Sequence, residues 1–301
     1  MPINVQGKTP DFRHTGFNSP ITEVTVMLVA QKDQEYSCLG SGIIVGPTIA
    51  LTARHVVDGF ADIYDGAPLE QLKGEGTFSL QAFQFLENGT KFRAWDVRQI
   101  YIAPDPRFTD IVFLRLQPTS QDHVNYNWIK VRMRLCPPSV GTTASAFGYH
   151  STSIQLTGDG VEITTNPYTT TGVVEEIHNA GRDSAMLPFP CFRTNARFDR
   201  AMSGGPVFSQ DGHLCGIICS NLPPDSEENH ASYVAALWPS MGIIVAYDRE
   251  GHPHGVSYPA IELATGGFLS VVDLDKVSVA HDPVTNNVAV RSICESAVGV
   301  R

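Results

Sequence analysis

About a dozen short apolar runs, each cut off by glycine, proline or charge, fill this sequence between Ile21 and Tyr247. Runs of that length and spacing read as strands. ITEVTVMLVAQ, GSGIIVG and TIALTA open the series. TFSLQAFQFLENG and KFRAWDVRQIYIA follow, joined at Asn88-Gly89, a strong hairpin dipeptide. After DIVFLRLQP, a crossing at Cys136-Pro137-Pro138 separates a first half from a second. The second half repeats the style in TASAFGYH, SIQLTG, VEITTNP, TGVVEEIH, FPCFRTNA, GGPVFS, HLCGIICSN and SYVAALW. With 26 glycines and 20 prolines among 301 residues, long helices are disfavoured. The expectation is an all-β chain built as a double barrel or a sandwich. Pro239 ahead of SMGIIVAY suits the first turn of a helix. Gly267 to Val279 reads equally as strand or helix.

The same punctuation divides the chain. Residues 1–20 are polar and form a loosely held arm. Residues 21–247 carry the strands, with a first barrel over about 21–135 and a second over about 140–247. Residues 248–301 are marginal as an independent domain. They carry Ile261, Leu263, Phe268, Leu269, Val271, Val272 and Leu274, too many apolar side chains for a solvated linker, so this extension is expected to pack on the barrel.

Charge and leader signals exclude several classes of partner. The net charge is −10, with 31 acids against 21 bases. No basic run exceeds two residues, so binding to nucleic acid or to an anionic membrane surface is not expected. The longest apolar stretch, Tyr233 to Tyr247, is interrupted at Pro239-Ser240 and falls short of the roughly 20 residues of a membrane span. The opening MPINVQGKTPDFRHTG has no basic region followed by an apolar core, which points to a cytoplasmic protein. The six cysteines (38, 136, 191, 215, 219 and 294) are accordingly read as free thiols. Cys215 and Cys219 are the close pair. On a strand, four positions put them about 13 Å apart, too far for one zinc ion with bonds of about 2.3 Å. No metal or cofactor is expected, and His252 and His254 read as a surface pair.

Three segments together suggest chemistry. Leu51-Thr52-Ala53-Arg54-His55-Val56 puts a histidine directly after a strand. Thr109-Asp110-Ile111-Val112-Phe113-Leu114 puts an aspartate directly before one. Met202-Ser203-Gly204-Gly205-Pro206-Val207 puts a serine into a tight turn. Serine is a poor nucleophile unless a base lies within hydrogen-bond reach. Histidine is such a base near neutral pH, and a buried carboxylate fixes its tautomer. Singly, each piece is more often structural. Their chain order, His, Asp, Ser, is that of the chymotrypsin-type barrel, with His and Asp in the first half and Ser in the second.

With these residues in place, the chain resembles the trypsin/chymotrypsin-like serine protease family over about residues 22–247. The motifs are T-A-x-H, D-I-x-x-L-x-L and S-G-G-P-x-F. GSGIIVGPTIALTARHV and FGYH are closer to the bacterial high-temperature-requirement proteases than to digestive enzymes. The resemblance implies a chymotrypsin-like double six-stranded β-barrel with short helices. It also implies a nucleophilic Ser203, a general base His55, an orienting Asp110, and oxyanion donors from the backbone N–H groups of Ala201 and Ser203. In this family the residue six before the nucleophile, here Arg197, lies at the base of the primary pocket, with Cys219-Ser220-Asn221 as its wall. A buried guanidinium there favours substrate Glu or Asp. If Arg197 instead turns to solvent or pairs with Asp199, a small or apolar preference follows.

Departures from the family pattern matter. Met202 stands where digestive members have an ion-pairing aspartate, and Ile44-Val45-Gly46 lies mid-strand, so N-terminal cleavage is not expected to activate the chain. Ala201 stands where the family has glycine, and its Cβ restricts the peptide that must aim an oxyanion donor. Val56 removes the cysteine that follows the catalytic histidine in the family, and the tail is too short for a peptide-binding PDZ domain. The functional expectation is a serine endopeptidase acting on protein or peptide. A pseudoprotease using the barrel as a binding scaffold is the alternative, with an esterase of the same fold a third reading. The oligomeric state is not legible.

Overall fold

The computed structural model describes residues 11–32, 35–63, 78–119, 129–157, 160–199, 201–222, 231–246, 257–282, 284 and 287–294. After a short strand β1 (Asp11–His14), six strands close into a first barrel. They are β2 (Thr25–Lys32), β3 (Glu35–Gly46), β4 (Ile49–Ala53), β5 (Phe78–Leu86), β6 (Lys91–Tyr101) and β7 (Ile111–Pro118), in the order β2-β3-β4-β7-β6-β5. Helix α1 (Arg54–Ile63) leaves the end of β4. The β5–β6 hairpin turns through Glu87 (φ 48°), Asn88 (φ 58°) and Gly89 (φ 83°), three positive-φ residues of which the last two are the dipeptide that favours this conformation.

The second half holds β8 (Arg132–Met133), β9 (Thr143–Thr157), β10 (Gly160–His178), β11 (Cys191–Thr194), β12 (Pro206–Ser209), β13 (Leu214–Leu222) and β14 (Ala231–Ala236). β12 pairs with both β9 and β13, so β9-β10-β11-β14-β13-β12 form a second closed ring of six. This is the chymotrypsin-like double barrel that the resemblance implied.

The continuous apolar run of β2 has a packing reason. Val26 and Leu28 point into the first barrel, in one cluster with Leu51 and Trp95. Met27 and Val29 point the other way and join Phe83 and Phe85 against Phe147 and Tyr149 of β9. A strand buried on both faces loses the polar alternation that one solvated face would impose. The seam between the barrels is therefore apolar, and a site lying across it has a rigid floor.

Three readings of the sequence change. SIQLTG, VEITTNP and TGVVEEIH are not separate short strands but parts of β9 and β10, 15 and 19 residues long. A bulge between Thr164 and Asn166 absorbs the irregular stretch without breaking the ladder. Residues 11–14 of the expected loose arm pair antiparallel with β10, from Asp11↔Thr171 to His14↔Tyr168. Pro239 begins only a 3₁₀ turn, Trp238–Gly242.

Just before the extension, β15 (Ile244–Ala246) pairs with the extension's β16 (Ser257–Pro259), and the described part continues with helix α2 (Ile261–Thr265), β17 (Ser270–Val271), and a hairpin of β18 (Val277–Asp282) and β19 (Asn287–Ser292). Leu263, Leu269 and Val277 are buried in the same cluster as first-barrel residues. β17 runs parallel to β8. A Cβ on Gly242 would lie 2.3 Å from Val290 of the hairpin, so the two surfaces are in close contact. Among the described residues, no helix is long and apolar enough to cross a membrane. His252 and His254 lie outside the described residues.

The free-thiol reading fails for one pair. Cys136 and Cys294 are joined in a disulfide across a sequence separation of 158, with Cα atoms 5.4 Å apart. No local spacing announces the pair, because β19 must first fold back onto the crossing between the barrels. Cys38, Cys191, Cys215 and Cys219 are free. Closing so long a loop restricts the unfolded chain, so reduction should cost about 2–5 kcal/mol of stability. Calorimetry with and without reductant checks this. An unchanged Tm, with the same two cysteines alkylatable before reduction, would remove the bridge.

Candidate active site

β4 and β7 are neighbours, and their register sets Ala53 opposite Ile111. The residue after Ala53 and the residue before Ile111 therefore meet at one end of the barrel. The Arg54 N–H donates to the Asp110 carbonyl at 2.5 Å. One residue on, His55 engages both oxygens of the Asp110 carboxylate: its backbone N–H donates to Oδ1 at 3.2 Å, and its ring Nδ1 lies 2.8 Å from Oδ2. Thr109 Oγ1 accepts the Ile111 N–H at 3.1 Å and shapes the turn that presents the carboxylate. The Asp110 side chain is only 10% exposed, whereas that of His55 is 42% exposed. A carboxylate bound to Nδ1 holds the proton there and leaves Nε2 free to accept. Burial lowers the His55 pKa, but the hydrogen bond and charge of Asp110, with the charge of Asp58, outweigh it, and the net shift is upward.

Ser203 reaches the same end of the barrel from the second half. Its carbonyl accepts the Ser41 N–H at 2.8 Å, and the Gly204 N–H donates to the Ile218 carbonyl of β13 at 2.9 Å. Gly204 has φ 80°, and a Cβ there would lie 2.1 Å from Thr52 Oγ1 and 3.2 Å from the Ala53 nitrogen. The serine turn thus lies against the two residues that lead into Arg54-His55, and only glycine fits. On the far side, a Cβ on Gly40 would meet the Ser203 carbonyl at 2.6 Å and Val56 at 3.0 Å. The histidine, aspartate and serine segments, far apart in sequence, are brought to one place.

The flanking residues explain the departures noted in the sequence. Met202 is fully buried in the core of the second barrel, among Ala146, Val207 and Val234. An apolar anchor occupies the place of an ion pair. Ala201 has φ 69°, the left-handed region that glycine enters freely and alanine does not.

The residues expected at the substrate pocket are placed less uniformly. Cys219 and Ser220 follow Ile218 on β13, beside the serine turn. Cys219 is buried, and its thiol donates to the Tyr233 carbonyl at 3.2 Å. Burial pushes this thiol well up, and the Asp110 charge adds to the shift. Asn221 continues the strand, paired with Ser232. Arg197 pairs bidentately with Asp199, Nε to Oδ1 and Nη2 to Oδ2 at 2.9 Å each. Its guanidinium also stacks over the Phe12 ring, 4.7 Å from the centroid. Its charge is thus met within the protein, on the side where β1 joins β10. Thr52 stood in the sequence only as the Thr of T-A-x-H, and Ser41 was not singled out. A serine between two glycines in an apolar run, Gly40-Ser41-Gly42, was the available signal. Among the described residues, no group of three or more His, Cys, Asp or Glu could hold a metal ion.

The sequence model for the trypsin-like peptidase domain matches residues 40–217, a span that contains all three segments. No curated protein matches the chain. Solved structures with some similarity include Deg5, at 17% identity over 71% of this chain and 85% of that one, with a TM-score of 0.44. The MamO protease domain from Magnetospirillum magneticum is 16% identical over 72% and 93%, with a TM-score of 0.41. The Rv3671c protease from M. tuberculosis is 15% identical over 73% and 80%, with a TM-score of 0.40.

Proposed function

The chain belongs to the trypsin-like peptidase domain family, and from that premise we propose that it is a serine endopeptidase with Ser203 as nucleophile, His55 as general base and Asp110 as orienting carboxylate. The observation that carries this reading is the 2.8 Å contact between His55 Nδ1 and the buried Asp110 carboxylate, at the end of the barrel where the serine turn arrives. His55 Nε2 takes the proton of Ser203 Oγ as that oxygen attacks the scissile carbonyl carbon. The backbone N–H groups of Ala201 and Ser203 receive the oxyanion. His55 then passes its proton to the leaving amine, the C–N bond breaks, and an acyl-serine remains. Water repeats the sequence and releases the acid.

Cleavage of an unfolded protein substrate by the wild type, and its loss in Ser203→Ala, is the expected result. Equal cleavage by both proteins would sink the proposal. No cleavage by either, with a folded wild type, would favour the scaffold reading. For the substrate pocket, the ion pair of Arg197 with Asp199 supports a small or apolar preference over an acidic one. Arg197→Ala should leave the cleavage profile of a peptide library essentially unchanged. A loss of about 10²-fold confined to Glu and Asp substrates would restore the acidic reading. The Cys136–Cys294 bridge also fits an oxidising compartment better than the cytoplasm that the opening residues suggested.

A further inference from the structure

Ser41 stands at the centre of the contacts that hold the serine turn. It is completely buried on β3. Its N–H donates to the Ser203 carbonyl at 2.8 Å, and its carbonyl accepts Thr52 Oγ1–H at 2.8 Å. Those two contacts need no particular side chain. The hydroxyl does something further. It donates to the Ala201 carbonyl at 3.0 Å and accepts the Tyr149 N–H at 3.0 Å, so its proton and a lone pair are both committed. The Met202 N–H, in the same peptide as the Ala201 carbonyl, donates to Asp199 at 3.2 Å. That peptide is held at both ends.

We propose that Ser41 is a positioning residue of the oxyanion hole, its hydroxyl keeping Ala201 in the left-handed conformation that aims the Ala201 N–H at the substrate carbonyl. This rests on the endopeptidase reading above. An alanine at φ 69° is under strain. Escape from that region changes φ and ψ together, and ψ of Ala201 cannot change while its carbonyl is pinned. A glycine in place of Ala201 would have no such strain and no need of the pin. The serine hydroxyl and the alanine are thus two halves of one arrangement.

The test is a cycle of Ser41→Ala, Ala201→Gly and the double variant, read as kcat and KM on one peptide substrate, with a melting curve for each protein. Loss of one oxyanion donor costs about 10²–10³ in kcat, so misaiming one should cost about 10–10² in Ser41→Ala, with KM little changed. Ala201→Gly supplies the reference kcat against which the double variant is read. In the double variant, most of the lost kcat should return while the melting temperature stays low. A merely structural serine would not be rescued by a more flexible neighbour. If Ser41→Ala does not fold, Ser41→Cys keeps the size and a weak donor, and its smaller loss should likewise be restored by Ala201→Gly. An unchanged kcat in an active background, or a loss that glycine at 201 does not restore, would overturn the proposal. An inactive wild type would instead sink the endopeptidase reading.

Discussion

Replacing Ser203 or His55 with alanine should each lower kcat/KM by at least about 10³, and replacing both should cost scarcely more. The reason is mechanical dependence. Ser203 Oγ attacks only as its proton leaves, and His55 has nothing to deprotonate once the hydroxyl is gone. Each factor of 10³ is about 4 kcal/mol of transition-state stabilisation, and a shared step can lose it only once. What survives in either variant comes from binding and the oxyanion donors, which neither substitution touches. Steady-state kinetics on the three variants decides the matter. Losses that multiply, giving about 10⁶ in the double variant, would show that the two side chains act independently.

Asp110→Asn should lower kcat by up to about 10⁴ with little change in fold. Asparagine matches the shape of aspartate, and its amide NH₂ would donate to Nδ1 of His55, placing the ring proton on Nε2, where a base needs a lone pair. The acid limb of the pH profile carries the same information. His55 must be neutral to act, so kcat/KM falls as pH drops through its pKa. That pKa lies above the ordinary imidazole value of about 6.5, because Asp110 and Asp58 outweigh the opposing effect of burial. The midpoint of the limb should lie above about 6.5 in the wild type and move lower in Asp110→Asn, where the stabilising charge is gone. A wild-type midpoint at or below 6.5 would contradict the electrostatics described here.

Local pattern carried much of the architecture. Asn88-Gly89 marked its hairpin because few residues accept two consecutive positive φ values. The segments around His55, Asp110 and Ser203 were visible because each joins a polar side chain to a strand end or tight turn. What stayed hidden depends on pairs distant in sequence. The lengths of β9 and β10 come from ladder pairing that continues through a bulge, where composition suggested a break. The Cys136–Cys294 bridge needs the extension folded back before the two sulfurs meet. The pairing of Arg197 with Asp199 was one of the readings open from the sequence, but its stacking on Phe12 was not, because Phe12 arrives on β1, within residues expected to form a loose arm. Ser41 was legible only as part of the GSGIIVG run, because its partner, the Ala201 carbonyl, is 160 positions away.

Reaction with a fluorophosphonate tests most directly whether His55, Asp110 and Ser203 form a working nucleophilic site. The probe bonds covalently to an activated serine and leaves an unactivated one alone. Intact mass and peptide mapping should find one adduct per chain, on Ser203. The adduct should be absent in Ser203→Ala and greatly slowed in His55→Ala. A folded wild-type protein that stays unlabelled, or an adduct on any other residue, would contradict the account.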